Sequence, residues 1–166
     1  MSDPHEPIRA MASAAGIHLP AAYFAFIDHL TKQATQRGSR TLGELRIGVG
    51  EYGWRPFGPS ELQKPFSLNG RPPVPNARRT SEYAAMLRMT DEELGTDLAS
   101  ALTECGFDLD RLARGFTIGE DSNGEPIFVD PDTGSVFIYY HDGMDVGRWA
   151  DSVDDLIARS REAAED

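Results

Sequence analysis

This sequence is poor in cysteine and in long apolar runs, and these two shortages argue against a disulfide-bonded protein and against a membrane-spanning protein. Cys105 is the only cysteine among 166 residues, so the chain cannot form an internal disulfide, as is usual for proteins of reducing compartments. No apolar segment approaches the ~20 residues that a membrane-spanning helix needs. Residues 1–10 are polar and acidic and do not resemble a secretory signal. We therefore expect a cytoplasmic protein that does not enter a membrane.

Common motifs of catalytic, nucleotide and metal sites are also missing. None of the four histidines has the spacing of a metal-binding pair, and neither a Gly-x-Ser-x-Gly elbow nor a phosphate-binding loop occurs. Residues 130–134 resemble the start of a calcium loop, but Pro131 interrupts it and His141 stands where a glutamate is needed. We predict no enzymatic activity, no cofactor and no metal. A hydrolase that uses His141 and Asp130 is the least favoured alternative.

Positive charge is scarce near the end of the chain. The net charge is −11, and residues 117–166 contain thirteen acidic but only three basic residues, whereas residues 1–116 are nearly balanced. Such a field repels nucleic acids and anionic membranes and attracts basic proteins. The simpler alternative is a surface that only promotes solubility. Residues 37–79 are basic on balance, and we expect them to complement the acidic region within the fold rather than to contact a partner.

Apolar residues at helical spacing predict helices over residues 20–37, 90–105 and 153–164. A shorter helix is expected before Gly16, and another is expected from Ser81 to Met89. Thr90 and Glu93 have the spacing of a capping box. The apolar stripe of the helix over 90–105 predicts that Cys105 is a buried hydrophobic residue rather than a nucleophile. Ser152 is expected to cap the last helix.

Residues 116–157 predict strand, turn, strand, turn, strand and then helix, because β-branched and aromatic runs alternate with Asn-Gly and Thr-Gly turns. Apolar residues on both faces of 136–140 indicate a strand that is covered on both sides. Residues 42–49 predict a further strand. The fold class is therefore α+β, with a mainly antiparallel sheet of about four to six strands. We expect a single domain over residues 1–166, with frayed ends at 1–7 and 161–166.

Short segments along most of the chain share their order and spacing with one known family. They are Leu19–Ile27, which matches a Leu-Pro-x-x-Tyr-x-x-Phe opening, and then Gly48–Trp54, Pro65–Phe66, Asn123–Glu125, Gly134–Phe137, His141–Asp142 and Ala150–Val153. This pattern resembles the SUKH superfamily, which includes bacterial immunity proteins and a fungal regulator of cell-wall assembly. The helical character of residues 80–116 departs from the family, because many members have a strand pair there.

The resemblance implies a non-catalytic protein-binding domain. We expect an immunity protein that neutralises the catalytic domain of a toxin, and the acidic charge favours a basic nuclease or transferase as its partner. The expected contact residues are exposed acids around the hairpins: Asp121, Glu125, Asp132, Asp142 and Asp145. Each of them is explained equally well as a turn or solubility residue. The alternative function is a regulatory adaptor or scaffold of a housekeeping process.

Overall fold

The computed structural model describes residues 3–36, 47–49 and 52–165. It confirms the predicted α+β class, because an antiparallel sheet is packed between two groups of helices. In these three segments no helix combines the length and the apolar character needed to cross a bilayer.

Two helices, α1 (Glu6–Ala14) and α2 (Ala21–Gln36), precede the sheet. Gly16 has a φ of +75° and follows the end of α1, as predicted. Helix α2 confirms the helix predicted over residues 20–37, and its apolar stripe is buried: Tyr23, Phe26, Ile27, Leu30 and Ala34. His5, which the sequence assigned to a frayed end, is buried and lies 2.8 Å (Nε2 to Oδ1) from Asp28.

The proline-rich part of the chain contains only short elements, as expected from residues that lack an amide donor. Strands β1 (Ile47–Val49) and β2 (Tyr52–Pro56) pair with each other, while residues 42–46 of the predicted strand and Gly50 lie outside the described residues. Helix α3 (Pro59–Gln63) has only five residues. Strands β3 (Pro65–Phe66) and β4 (Val74–Pro75) form a separate pair before a 3-10 turn at Asn76–Arg78.

The helix predicted over residues 90–105 is wrong. Helix α4 (Arg79–Leu94) runs through Thr90, and α5 (Ser100–Glu104) and α6 (Leu109–Arg114) follow as separate short helices. Helix α4 ends at Gly95, which has a φ of +64°. The Asp91 carboxylate accepts hydrogen bonds from the amides of Leu98 and Ala99 (2.7 and 3.0 Å) and therefore stabilises the turn that breaks the helix.

This break overturns the predicted burial of Cys105. The prediction that Cys105 is buried required one continuous helix over residues 90–105, but residues on either side of Gly95 belong to different helices. Leu94 is consequently 70% exposed, Cys105 is exposed, and Leu102 supplies the buried contact of α5.

The second half of the chain forms four consecutive strands: β5 (Phe116–Asp121), β6 (Pro126–Val129), β7 (Val136–Tyr140) and β8 (Asp145–Ala150). The sequence predicted the first three and missed β8. Helix α7 (Val153–Glu165) then follows, and the Ser152 hydroxyl oxygen accepts a hydrogen bond from the Asp155 amide (3.0 Å), which confirms the predicted cap.

The main sheet has six strands among the described residues, in the order β1-β2-β5-β6-β7-β8, and every neighbouring pair is antiparallel. One face packs on α1, α2 and α7, and the other packs on α4, α5 and α6. Strand β7 contributes Ile138 to the first core and Tyr139 to the second, so the prediction that it is covered on both sides is confirmed.

Candidate functional site

The five acidic residues singled out from the sequence lie at opposite ends of the sheet. Because consecutive strands run antiparallel, the β5–β6 and β7–β8 turns share one end and the β6–β7 turn lies at the other. Asp121, Glu125, Asp142 and Asp145 flank the first two turns. We refer to residues 121–125 and 141–145 as the acidic end. Asp132 lies in the β6–β7 turn, at the opposite end.

The charge of Asp132 is compensated within the chain. Arg114 donates two hydrogen bonds to its carboxylate, at 2.8 and 3.1 Å, and Arg111 lies 3.5 Å away. The hydrogen bonds from Arg114 hold the pKa of Asp132 below its ordinary value. The structure therefore gives Asp132 a role in tying α6 to the β6–β7 turn and leaves its carboxylate little capacity to bind a second cation.

Asp121 organises the β5–β6 turn. Its carboxylate accepts hydrogen bonds from the backbone amides of Asn123 and Glu125, both at 2.9 Å. Gly124 has a φ of +79°, a conformation that glycine adopts without strain. A substitution at Asp121 therefore changes the turn as well as the charge of the acidic end.

Glu125 was expected to be exposed, and this expectation is wrong. Only 5% of the residue is accessible. One carboxylate oxygen accepts a hydrogen bond from the backbone amide of His141 (3.1 Å), and the other pairs with Nδ1 of the same histidine. Burying a carboxylate is costly unless it is hydrogen-bonded or paired, and His141 provides both interactions. Glu125 thus joins the two turns of the acidic end.

Asp142 and Asp145 present the accessible carboxylates of the acidic end. The Asp142 side chain is 92% exposed, and its Oδ1 lies 3.1 Å from Nε2 of the half-exposed His141. Asp145 is partly exposed, and its carboxylate forms no ion pair with any described side chain. A Cβ atom on Gly143 would lie 2.7 Å from the Asp145 carboxylate, so the side chain folds over the backbone of the turn.

A buried ionic network supports the acidic end from beneath. Glu120, at the end of β5, pairs with both Arg55 of β2 and Arg79 of α4, and its Oε2 lies 2.8 Å from Nη1 of Arg79. Arg79 also donates to the side chain of Asn76 (2.6 and 2.9 Å) and to the carbonyl of Gly124 (3.3 Å). The last of these bonds attaches the β5–β6 turn to α4.

Sequence reasoning did not identify Glu120 or Arg79 individually, although it noted the excess of basic residues that contains Arg55 and Arg79. The expectation that this segment complements the acidic region within the fold is confirmed for these two arginines. The pairing of Arg79 with Glu120 joins residues 41 positions apart, and no local pattern reveals such a contact.

Two tyrosines lie next to this network. The rings of Tyr83 and Tyr139 have centroids 5.0 Å apart. Burial raises the pKa of Tyr139, and the neighbouring Tyr83, Glu125 and Asp145 raise it further because a phenolate would be repelled by them. Burial also raises the pKa of Tyr83. Both phenols therefore stay neutral at physiological pH, and the charge at this end comes from its carboxylates.

Two residues of the hydrolase alternative, Asp130 and His141, are separated by the full length of β7. Asp130 is completely buried, and its carboxylate accepts hydrogen bonds from Arg111 (2.5 Å) and from the Thr133 hydroxyl (2.7 Å). Both of these donors bind Oδ2, and Oδ1 accepts a hydrogen bond from the Asp132 amide (3.3 Å), so internal donors already occupy the carboxylate that a calcium loop would direct at the ion. Across the described residues, no three His, Cys, Asp or Glu side chains are grouped to hold a metal ion.

Comparison of the chain with protein-family models, with curated proteins and with solved structures finds no match. A function therefore has to be inferred from the residues of this chain and from their geometry. The most distinctive surface built by several separate elements is the acidic end, where the exposed Asp142 and the partly exposed Asp145 flank the β7–β8 turn, and Glu125 and Arg79 hold the neighbouring β5–β6 turn in place.

Proposed function

We propose that this chain is a SUKH-like immunity protein, a non-catalytic binding domain whose acidic end contacts the basic catalytic domain of a toxin in the cytoplasm. One observation carries the proposal. Asp142 and Asp145 offer accessible carboxylates on one turn: among the described side chains Asp142 pairs with a histidine rather than with an arginine or lysine, and Asp145 forms no ion pair. Such carboxylates can pair with cations supplied by another protein.

The charge distribution supports a role in fast association. Residues 117–166 contain ten more acidic than basic residues, and such a field raises the rate at which a basic partner is captured. Toxins that act on nucleic acids bind phosphates with basic residues. An array of carboxylates can occupy the same positions as those phosphates and thereby block the substrate site.

The rigidity of the acidic end also favours binding. Glu125 joins the two turns through His141, and Arg79 attaches the β5–β6 turn to α4. A surface that is already ordered loses less conformational entropy when it binds. The opposite end of the sheet is a weaker candidate for the same contact, because Arg114 already pairs with Asp132.

The test is a double charge reversal at the acidic end. Asp142→Lys combined with Asp145→Lys should slow association with the partner at least about tenfold at low salt, because electrostatic steering is lost. Both side chains are accessible and hold no turn through a hydrogen bond, so stability should change by less than about 1 kcal/mol. Surface plasmon resonance at two salt concentrations and urea unfolding measure these two quantities.

Glu92 and Glu93 provide the matched control. Both are exposed in the last turns of α4. They lie about 14 Å along the helix from Tyr83, which is a residue of α4 that contacts Tyr139 beside the acidic end. Their double reversal to lysine changes the net charge equally but should leave association nearly unchanged. Equal slowing of association by both double variants would show that only the net charge of the protein matters and that the acidic end is not a specific contact surface. If the Asp142→Lys/Asp145→Lys variant lost stability but kept its affinity for the partner, the acidic end would not be the interface.

The partner is first captured with the purified protein as bait, at low and then at high salt. A single basic nuclease-like or transferase-like protein that is lost as salt rises supports the immunity function, and a toxin gene immediately upstream would support it independently. A housekeeping complex that resists salt would instead favour the adaptor alternative.

A further inference from the structure

A separate groove of about 300 Å³ lies at the end of the sheet opposite the acidic end. It opens between the α1–α2 connection, the β6–β7 turn and the start of α7. Its floor is apolar, because it contains Ile17, Val129 and Val153, which are 7%, 2% and 5% exposed. This volume is at the low end of the range for ligand pockets, so the groove can hold one long side chain rather than a folded element.

The rim of the groove contains a carboxylate without an internal partner. Asp154 lines the groove, is exposed, and forms no ion pair or hydrogen bond with any described side chain. The other acidic residues around it are each paired with an arginine of the same chain: Asp130 with Arg111, Asp151 with Arg148, and Asp155 with Arg159. Asp154 is therefore the one acid of this group whose charge is available to a ligand.

We propose that this groove binds an arginine side chain of a partner protein, with its methylene stem on the apolar floor and its guanidinium at Asp154. Long basic side chains place an apolar stem on apolar surface while their charged head reaches a polar group. Arginine fits better than lysine, because its planar guanidinium can donate two parallel hydrogen bonds to one carboxylate. This site lies apart from the acidic end and does not depend on the proposed function.

The start of α7 also influences the preference for a cation. The positive end of a helix dipole disfavours a bound cation. Asp154 and Asp155 both lie in the first turn of α7 and offset that positive end. An anionic ligand in the groove, in contrast, would meet the unpaired carboxylate of Asp154 at the same helix end. The groove therefore selects a cation with an apolar stem over an anion of similar size.

The proposal is tested by titrating the ¹⁵N-labelled full chain with N-acetyl-arginine methylamide and following the amide signals. Shifts should concentrate at Ile17, Val129 and Val153 and yield a dissociation constant of roughly millimolar size, as a single side chain allows. The matched probe N-acetyl-glutamate methylamide should shift none of these signals. Equal shifts with both probes, or shifts confined to the acidic end, would overturn the assignment.

Variants then isolate the role of the rim carboxylate. Asp154→Asn should weaken binding of the arginine probe at least about fivefold, because it removes the charge that guanidinium pairs with. Asp154→Glu should retain most of the affinity, and Asp97→Asn, which neutralises an exposed acid outside the groove, should leave it unchanged. Unaltered spectra away from the groove verify that each variant is folded. Unchanged affinity in Asp154→Asn would refute the proposal.

Discussion

Glu120→Ala should be strongly destabilising, because this one carboxylate neutralises two arginines from distant parts of the chain. Its side chain is 11% exposed, as is that of Arg79, while the side chain of Arg55 is 29% exposed. The substitution removes an ion-pair partner from both arginines. It leaves the guanidinium of Arg79 in a site with little access to water.

Removing one partner of a buried ion pair costs about 3–5 kcal/mol, because an uncompensated charge stays behind. In this network Arg79 keeps its bonds to Asn76 and Gly124, so we expect the lower half of that range. For a chain of this length each kcal/mol lowers the melting temperature by about 2–4 °C, so the expected decrease is roughly 6–16 °C. The expected loss of unfolding free energy is a large fraction of the total stability of a typical domain.

Urea unfolding at neutral pH measures the effect, and the transition midpoint should fall while its slope stays constant. Glu104→Ala is the matched control, since Glu104 is exposed on α5 and its loss should cost less than about 0.5 kcal/mol. A double-mutant cycle with Arg79→Met should show a coupling free energy of about 2 kcal/mol. A cost below about 1 kcal/mol for Glu120→Ala, or additive effects in the cycle, would refute the argument that this network is stabilised by mutual pairing.

Three further measurements follow from the packing and charges. Gly119→Ala should lower the unfolding free energy by about 1–3 kcal/mol, since the new Cβ would lie 2.7 Å from a ring carbon of the buried Trp54 and 2.6 Å from a backbone oxygen of β2; wild-type stability would contradict this. Because Arg114 lowers the pKa of Asp132, the ionised carboxylate stabilises the fold at any pH above the pKa of the unfolded side chain, about 3.9. This stabilisation is lost as the pH falls through the lower pKa of the folded state. The stability difference from Asp132→Asn should therefore shrink below about pH 4, and a constant difference would exclude this linkage. Cys105 is exposed, so a thiol reagent should modify it in the native protein at nearly the rate seen in urea, whereas a much slower native rate would indicate burial.

The elements that were predicted well are those whose residues carry a strong local pattern. The apolar stripe of α2 from Tyr23 to Ala34 requires only its own 3.6-residue spacing, and the turns at Gly124 and Gly134 require residues that tolerate positive φ. Such signals do not depend on a distant partner. They were sufficient to predict the fold class and the order of β5, β6, β7 and α7.

The two features that were missed, strand β8 and the end of α4, have different causes. Strand β8 contains Asp145 and Gly147, which are poor strand formers, and it is extended because it pairs with β7. The end of α4 required the carboxylate of Asp91 to bond to amides beyond the helix. These bonds join residues only seven and eight positions apart, and Gly95 adopts the left-handed conformation that ends a helix, so this break has a local cause.

The candidate site was only partly accessible to sequence reasoning. The acidic excess and the two turns were evident, but the sequence did not distinguish the accessible Asp142 from the buried Glu125 or the arginine-paired Asp132. That distinction depends on where His141 and Arg114 lie in space. The five acids therefore have different surroundings, and the structure directs mutagenesis to Asp142 and Asp145.

The order of pairing in the sheet has a consequence for how the chain folds. Strands β5 to β8 each pair with a neighbour in sequence, whereas β2 pairs with β5 across more than sixty residues, as in the match of Trp54 with Asp121. Closing the longer loop costs more conformational entropy and slows folding. During synthesis β2 is made before its partner strand β5 (residues 116–121), so β5 cannot cover Trp54 until those residues have been made. The N-terminal half is therefore the part of the chain most exposed to aggregation before the last strands are made.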